Sequence, residues 1–135
     1  MAAFGIFVRL VMICPEFRNK RFGYVNLNLE AEKWVRNQEF SPDKNPLLDP
    51  VICQTMVDAI HRKLNLDFSY GGWMEDRSFL WRGSYLDQCK AYTHLGVDIN
   101  IPTGTRIGGS FEAKIVKVDD DYSENGGWGP RVILR

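Results

Sequence analysis

Apolar positions along the chain fall into a few short patterns. The clearest spans Pro50 to Leu64, where Ile52, Met56, Ile60 and Leu64 recur every fourth residue and share one face of a predicted helix. Asp49 is placed to cap its first turn, and Pro50 suits the first helical position, where a missing N–H costs nothing. His61 sits beside the stripe, near Val57 and Leu64, and reads as a partly exposed helix histidine. Upstream, the run RFGYVNLNL alternates in part through Phe22, Tyr24, Leu27 and Leu29, which predicts a strand. A short helix is expected from Glu30 to Phe40 with Trp34 and Val35 inward. Ser41 to Pro50 holds three prolines and two aspartates, and so is expected to be a loop.

The pattern changes after Asn65. From Phe68 onward short apolar stretches rich in glycine, aromatic and β-branched residues alternate with turn signals, and no further amphipathic helix is predicted. Val97, Ile99 and Ile101 alternate with Asp98 and Asn100 as a strand does, and Pro102-Thr103-Gly104 then predicts a turn. A second strand is expected from Phe111 to Val118, with Phe111, Ala113, Ile115 and Val116 inward. A polar loop is expected over Asp119 to Gly129, and a third strand over Arg131 to Arg135.

These elements predict an α+β fold. A helical and strand segment over residues 1–66 would pack on an antiparallel β-sheet core over residues 67–135, in one folding unit. A length of 135 residues suits one such domain. Seventeen basic residues balance seventeen acidic ones, which argues against a nucleic-acid grip built on bulk positive charge. Ala2 to Cys14 is apolar but interrupted by Arg9, and falls short of the roughly 20 residues of a membrane span. It also lacks the positive start and small-residue exit of a secretory signal, so it reads as a buried strand or an awkward start; no export is indicated, which favours the cytoplasm without assigning a location. Cys14, Cys53 and Cys89 lie far apart, form no C-x-x-C pair, and are expected to be free, mostly buried thiols.

The stretch with the most chemistry is Thr93-His94-Leu95-Gly96-Val97-Asp98-Ile99. Imidazole and carboxylate are both good zinc ligands, and His94 and Asp98 stand four residues apart. In a straight strand their Cα atoms would lie about 13 Å apart, at about 3.3 Å per residue, while zinc bonds are only about 2 Å long. The backbone must bend between them if they are to share an ion, and Gly96 lies midway. The alternative is a surface histidine beside an ordinary strand aspartate.

The run from His94 through Asp98, Pro102, Gly104 and Thr105 to Ile107 resembles the H-x-G-x-D, strand and P-x-G-T turn of the lysostaphin-type zinc endopeptidases. Gly126 to Leu134 (GGWGPRVIL) resembles that family's glycine-aromatic-glycine segment and following V-I-L strand. Gly71 to Arg77 (GGWMEDR) resembles the lead-in of a subgroup fused to other enzymes. The likeness covers roughly the half of the chain from Tyr70 onward. It implies a β metallopeptidase core with His94 and Asp98 as two of three zinc ligands, a zinc cofactor and a peptide substrate. It also implies a histidine after the V-I-L strand and a later H-x-H pair, supplying the third ligand and the groups that move protons.

This chain departs from the family there, because its only other histidine is His61. Neither His61 nor Cys89 matches a family position. The expectation is therefore a partial zinc-endopeptidase-like domain, inactive alone, with no catalytic residue assigned. The alternative is a non-catalytic β scaffold that binds a peptide, a glycan or a protein. A larger multi-domain partner is a further option; no membrane or nucleic-acid partner is expected. Glu75, Asp76 and Arg77 are read as a salt-bridged turn or a substrate contact. Trp73, Trp81, Tyr85 and Tyr92 are read as packing residues or groove lining. Asp119 to Asp121 lacks the ligand spacing of a calcium loop and reads as solvated.

Overall fold

The computed structural model describes residues 14, 17–38, 45–108, 112–121 and 129–135. The strand expected over Ala2 to Cys14 lies outside them except for Cys14, as do Phe111 and the Gly126-Gly127-Trp128 stretch. The described chain forms strand β1 (Phe22–Tyr24), helix α1 (Leu27–Arg36), helix α2 (Pro50–Leu64) and strands β2 (Phe68–Gly71) and β3 (Asp98–Asn100). Strands β4 (Ile115–Asp121) and β5 (Gly129–Leu134) complete it, with 3-10 turns at Pro46–Leu48 and Tyr85–Cys89. Two helices and two small sheets make this an α+β fold. Internal contacts divide it into two units, Lys20–Thr103 and a second that joins Met1–Asn19 to Gly104–Arg135.

In the Lys20–Thr103 unit, β2 is the middle strand of a mixed sheet. It pairs parallel with β1 (Phe22 opposite Phe68, Tyr24 opposite Tyr70) and antiparallel with β3 (Tyr70 opposite Ile99, Gly71 opposite Asp98). A parallel pair needs a long crossover, which the two helices between β1 and β2 supply. The sheet is thus not wholly antiparallel. The boundary expected after residue 66 falls between paired strands, β1 before it and β2 after it.

Helix α2 has the bounds read from the sequence. The Asp49 carboxylate accepts from the backbone N–H of Val51 and Ile52 at 2.8 and 3.2 Å, and Asn65 ends the helix in the left-handed region. Met56 and Ile60 are buried and Ile52 is half-buried, but Leu64, in the helix's last position, is exposed. Helix α1 starts earlier than expected and takes Leu27 and Leu29 out of the strand. The Asn26 side chain accepts from Leu29 N–H at 3.1 Å, so the cap ends β1 and begins the helix. Its last residue is Arg36, with Asn37 as its C-cap, so the helix stops short of Phe40. Leu27 and Ala31 of α1 then meet Met56 and Ile60 of α2 in a core completed by Val25 and Leu47, and Trp34 and Val35 pack at its edge.

Two buried asparagines tie the chain after β2 to this core. Asn28 accepts from the N–H groups of Phe79 and Leu80, each at 3.0 Å. The Asn45 amide nitrogen donates to the carbonyls of Phe79, Leu80 and Arg82 at 3.4, 2.9 and 3.0 Å. An irregular turn whose backbone groups would otherwise be orphaned is thereby held in place.

In the second unit β4 and β5 form an antiparallel hairpin with an irregularity between Ile115 and Lys117. Asp119 to Asp121 belong to β4 and are not a loop. Asp119 lies opposite Arg131, which donates to it from Nε at 3.0 Å, and Lys117 donates at 2.9 Å. An opposite-charge pair across the ladder favours continued pairing. Ile115 and Val116 are exposed, contrary to the inward reading, since no described layer of this unit covers the two-stranded ladder.

Candidate metal centre

The arrangement around His94 begins where β2 ends. Gly71 lies opposite Asp98, and the chain then makes a tight turn closed by Glu75 N–H donating to the Gly72 carbonyl at 3.0 Å. Gly72 has φ 101°, where a side chain is strained, and Met74 has φ 57°. The returning chain pairs again: His94 N–H donates to Glu75 O (2.9 Å), Met74 N–H to His94 O (2.8 Å) and Arg77 N–H to Tyr92 O (2.8 Å). Two extended pieces are therefore anchored to one continuous stretch, 98–100 to 69–71 of β2 and 92–94 to 74–77 beyond it. Leu95 to Val97 bridges them, and Val97 is exposed and not part of β3.

This double anchoring brings the two side chains together. His94 Nε2 lies 3.5 Å from Asp98 Oδ1. Gly96 serves the approach by its lack of a side chain, since a Cβ there would sit 3.3 Å from His94 Nε2. Gly72 does the same on the ring's other side, where a Cβ would stand 2.8 Å from His94 Cε1 and closer still to Nδ1. Trp81 meets the imidazole edge-on, with ring centroids 5.7 Å apart. Nδ1 is buried and has no hydrogen-bond partner among the described residues, so packing sets the ring's orientation.

Asp98 is held from behind. Its Oδ2 accepts from Arg77 Nη2 at 2.8 Å, and Arg77 is only 1% exposed. The same Nη2 lies 3.0 Å from Glu75 Oε2, an ion pair whose angles fall short of a hydrogen bond and leave Oε2 without one. Glu75 is itself buried; its Oε1 accepts from Tyr24 O–H at 2.7 Å and Gly72 N–H at 2.9 Å. The bond to Glu75, chiefly, pushes the Tyr24 phenol above its ordinary pKa. Two carboxylates face one guanidinium, so the cluster carries a surplus negative charge that favours a cation.

Does the pair fit a metal? Two ligands at about 2.0–2.1 Å from a tetrahedral zinc stand about 3.4 Å apart, which the Nε2 to Oδ1 separation of 3.5 Å matches. Catalytic zinc sites use three protein ligands, however, and no group of three or more His, Cys, Asp or Glu gathers among the described residues. His61 lies on α2 with Nε2 2.8 Å from Ser69 Oγ, where burial lowers its pKa. Cys89 is exposed, its thiol 3.3 Å from Leu86 O; Cys53 is half-buried and Cys14 buried, so the thiols are less uniformly buried than expected.

Of the aromatic residues flagged in the sequence, Trp81 touches the site, Tyr92 is half-buried with its hydroxyl on Asp87, and Trp73 and Tyr85 are exposed. Glu75 and Arg77 form the buried ion pair, whereas Asp76 accepts from Ser78 N–H at 2.6 Å on the surface. Tyr24 was legible only as a strand residue; nothing in its local sequence signals a partner 51 positions away. Among the described residues, no helix is long and apolar enough to cross a membrane. No protein-family model, curated protein or solved structure compared with the chain matches it.

Proposed function

We propose that the Lys20–Thr103 unit carries two ligands of a zinc site of the lysostaphin type, His94 through Nε2 and Asp98 through Oδ1, in a partial endopeptidase-like domain inactive by itself. The observation that carries this reading is the 3.5 Å convergence of the two groups beside a cluster with surplus negative charge. A bound zinc would supply Lewis-acid polarisation of a peptide carbonyl and a water activated near neutral pH. The chain's own contribution is to orient the two ligands. His94 is wedged between Gly72, Gly96 and Trp81, and Asp98 is clamped by Arg77. With His61 committed to Ser69, no second histidine stands ready to move protons around a water.

A second reading, a non-catalytic scaffold for a peptide, glycan or protein, draws on the Arg77 contact, which already satisfies one oxygen of Asp98 without any metal. Zinc titration of the purified chain separates the two. The proposal expects one equivalent bound at micromolar affinity and lost in His94→Ala and Asp98→Ala, with no peptide hydrolysis. Absence of saturable binding up to millimolar zinc refutes it in favour of the scaffold.

A further inference from the structure

Burying an arginine so completely is costly unless its charge has specific work, because desolvating a guanidinium is repaid only by well-placed partners. Arg77 has two carboxylate partners, and they are not equivalent: Nη2 donates a hydrogen bond to Asp98 but meets Glu75 as an ion pair alone. Asp98 is partly exposed and turns its other oxygen toward His94, whereas Glu75 is buried and its other oxygen is occupied by Tyr24 and Gly72. We infer that Arg77 is a positioning residue for Asp98 and that Glu75 is its counter-charge, an inference resting on the metal reading of the pair. By engaging Oδ2, Arg77 anchors one carboxylate oxygen and leaves Oδ1 facing His94 Nε2.

A lone guanidinium in that place would also repel an incoming cation. Glu75 cancels that charge, so Asp98 is oriented without losing its attraction for the ion. Glu75 is held for the task from two directions, by the Tyr24 hydroxyl on β1 and by the N–H of Gly72 in the turn. Arg77 is anchored by its N–H on Tyr92 O and by its own carbonyl, which accepts from Trp81 N–H at 2.8 Å. The relay Tyr24–Glu75–Arg77–Asp98 thus runs from one edge strand of the sheet to the other. Outer-shell partners of this kind are worth about 10–100-fold in metal affinity.

The test uses the full chain and two substitutions read by two methods. Arg77→Lys keeps the charge but loses the planar Nη2 donor that meets both carboxylates; Glu75→Gln keeps the shape and the acceptor but loses the charge. Zinc affinity is measured by chelator competition, and the His94 ring signals of the metal-free protein by NMR, where only two histidines contribute. Arg77→Lys is expected to shift the His94 signals and weaken zinc about 10-fold or more. Glu75→Gln is expected to leave those signals in place yet weaken zinc. Unmoved His94 signals and unchanged affinity in Arg77→Lys overturn the positioning role, and wild-type affinity in Glu75→Gln overturns the counter-charge role. If the wild-type chain binds no zinc, the metal reading falls. The metal-free His94 signals of Arg77→Lys then still decide whether Arg77 orients Asp98.

Discussion

Gly72→Ala isolates the steric logic of the centre. A methyl group there would lie 3.0 Å from Arg77 Nη2 and 2.8 Å from His94 Cε1, and closer to Nδ1. It would do so on a backbone with φ 101°, which L-residues avoid. A left-handed conformation costs about 1–2 kcal/mol for a residue with a β-carbon. Forcing an extra methyl into a packed site costs about 1–3 kcal/mol more. Together these predict a loss of about 2–5 kcal/mol. With a urea m-value near 2 kcal/mol/M, the unfolding midpoint should fall by about 1 M or more. The imidazole cannot stay where it is, so its NMR signals should move and zinc affinity should drop. Gly96→Ala is the companion, since its Cβ would meet Nε2 at 3.3 Å with no positive φ to strain. It should cost about 1 kcal/mol, the low end for an added methyl, yet still shift the His94 signals. A Gly72→Ala protein within about 0.5 kcal/mol of wild type, a surface-like effect, and with unmoved His94 signals would refute the packing argument.

Two further outcomes follow from the fold. Asn45→Ala removes the amide that holds three carbonyls of the Phe79–Arg82 turn and the cap on Leu47 N–H, and should destabilise the protein by about 2–4 kcal/mol in denaturant titration; a loss under about 0.5 kcal/mol would contradict this accounting. Because burial lowers the pKa of His61, the unfolded chain binds that proton more readily, so stability is fully present above the ordinary value near 6.5 and declines as pH falls through the lowered folded value. His61→Gln should flatten the stability curve just below the ordinary value near 6.5, and a curve as steep as wild type there rules His61 out as the source.

Local signals carried some elements without help. Asp49, Pro50 and a fourfold apolar stripe define α2 because cap, first turn and buried face are all encoded within one segment. The same was not true of Leu27 and Leu29, whose alternation suits a strand until the Asn26 cap recruits them into α1. Asp119 to Asp121 look solvated in sequence and become strand because Arg131 lies across the ladder from Asp119.

The candidate site divides along the same line. The sequence alone determined which groups could bind a cation, His94 and Asp98, and that a bend near Gly96 was required, because side-chain chemistry and spacing are local properties. Only the tertiary structure decided that the bend forms. It does so because residues 98–100 pair with 69–71 while residues 92–94 are pinned by backbone hydrogen bonds to 74–77, just after the turn that ends β2. The buried relay was likewise beyond the sequence. Tyr24 reaches Glu75 and Arg77 reaches Asp98 across separations of 51 and 21 residues, contacts that a parallel crossover and a returning strand create and no local pattern encodes.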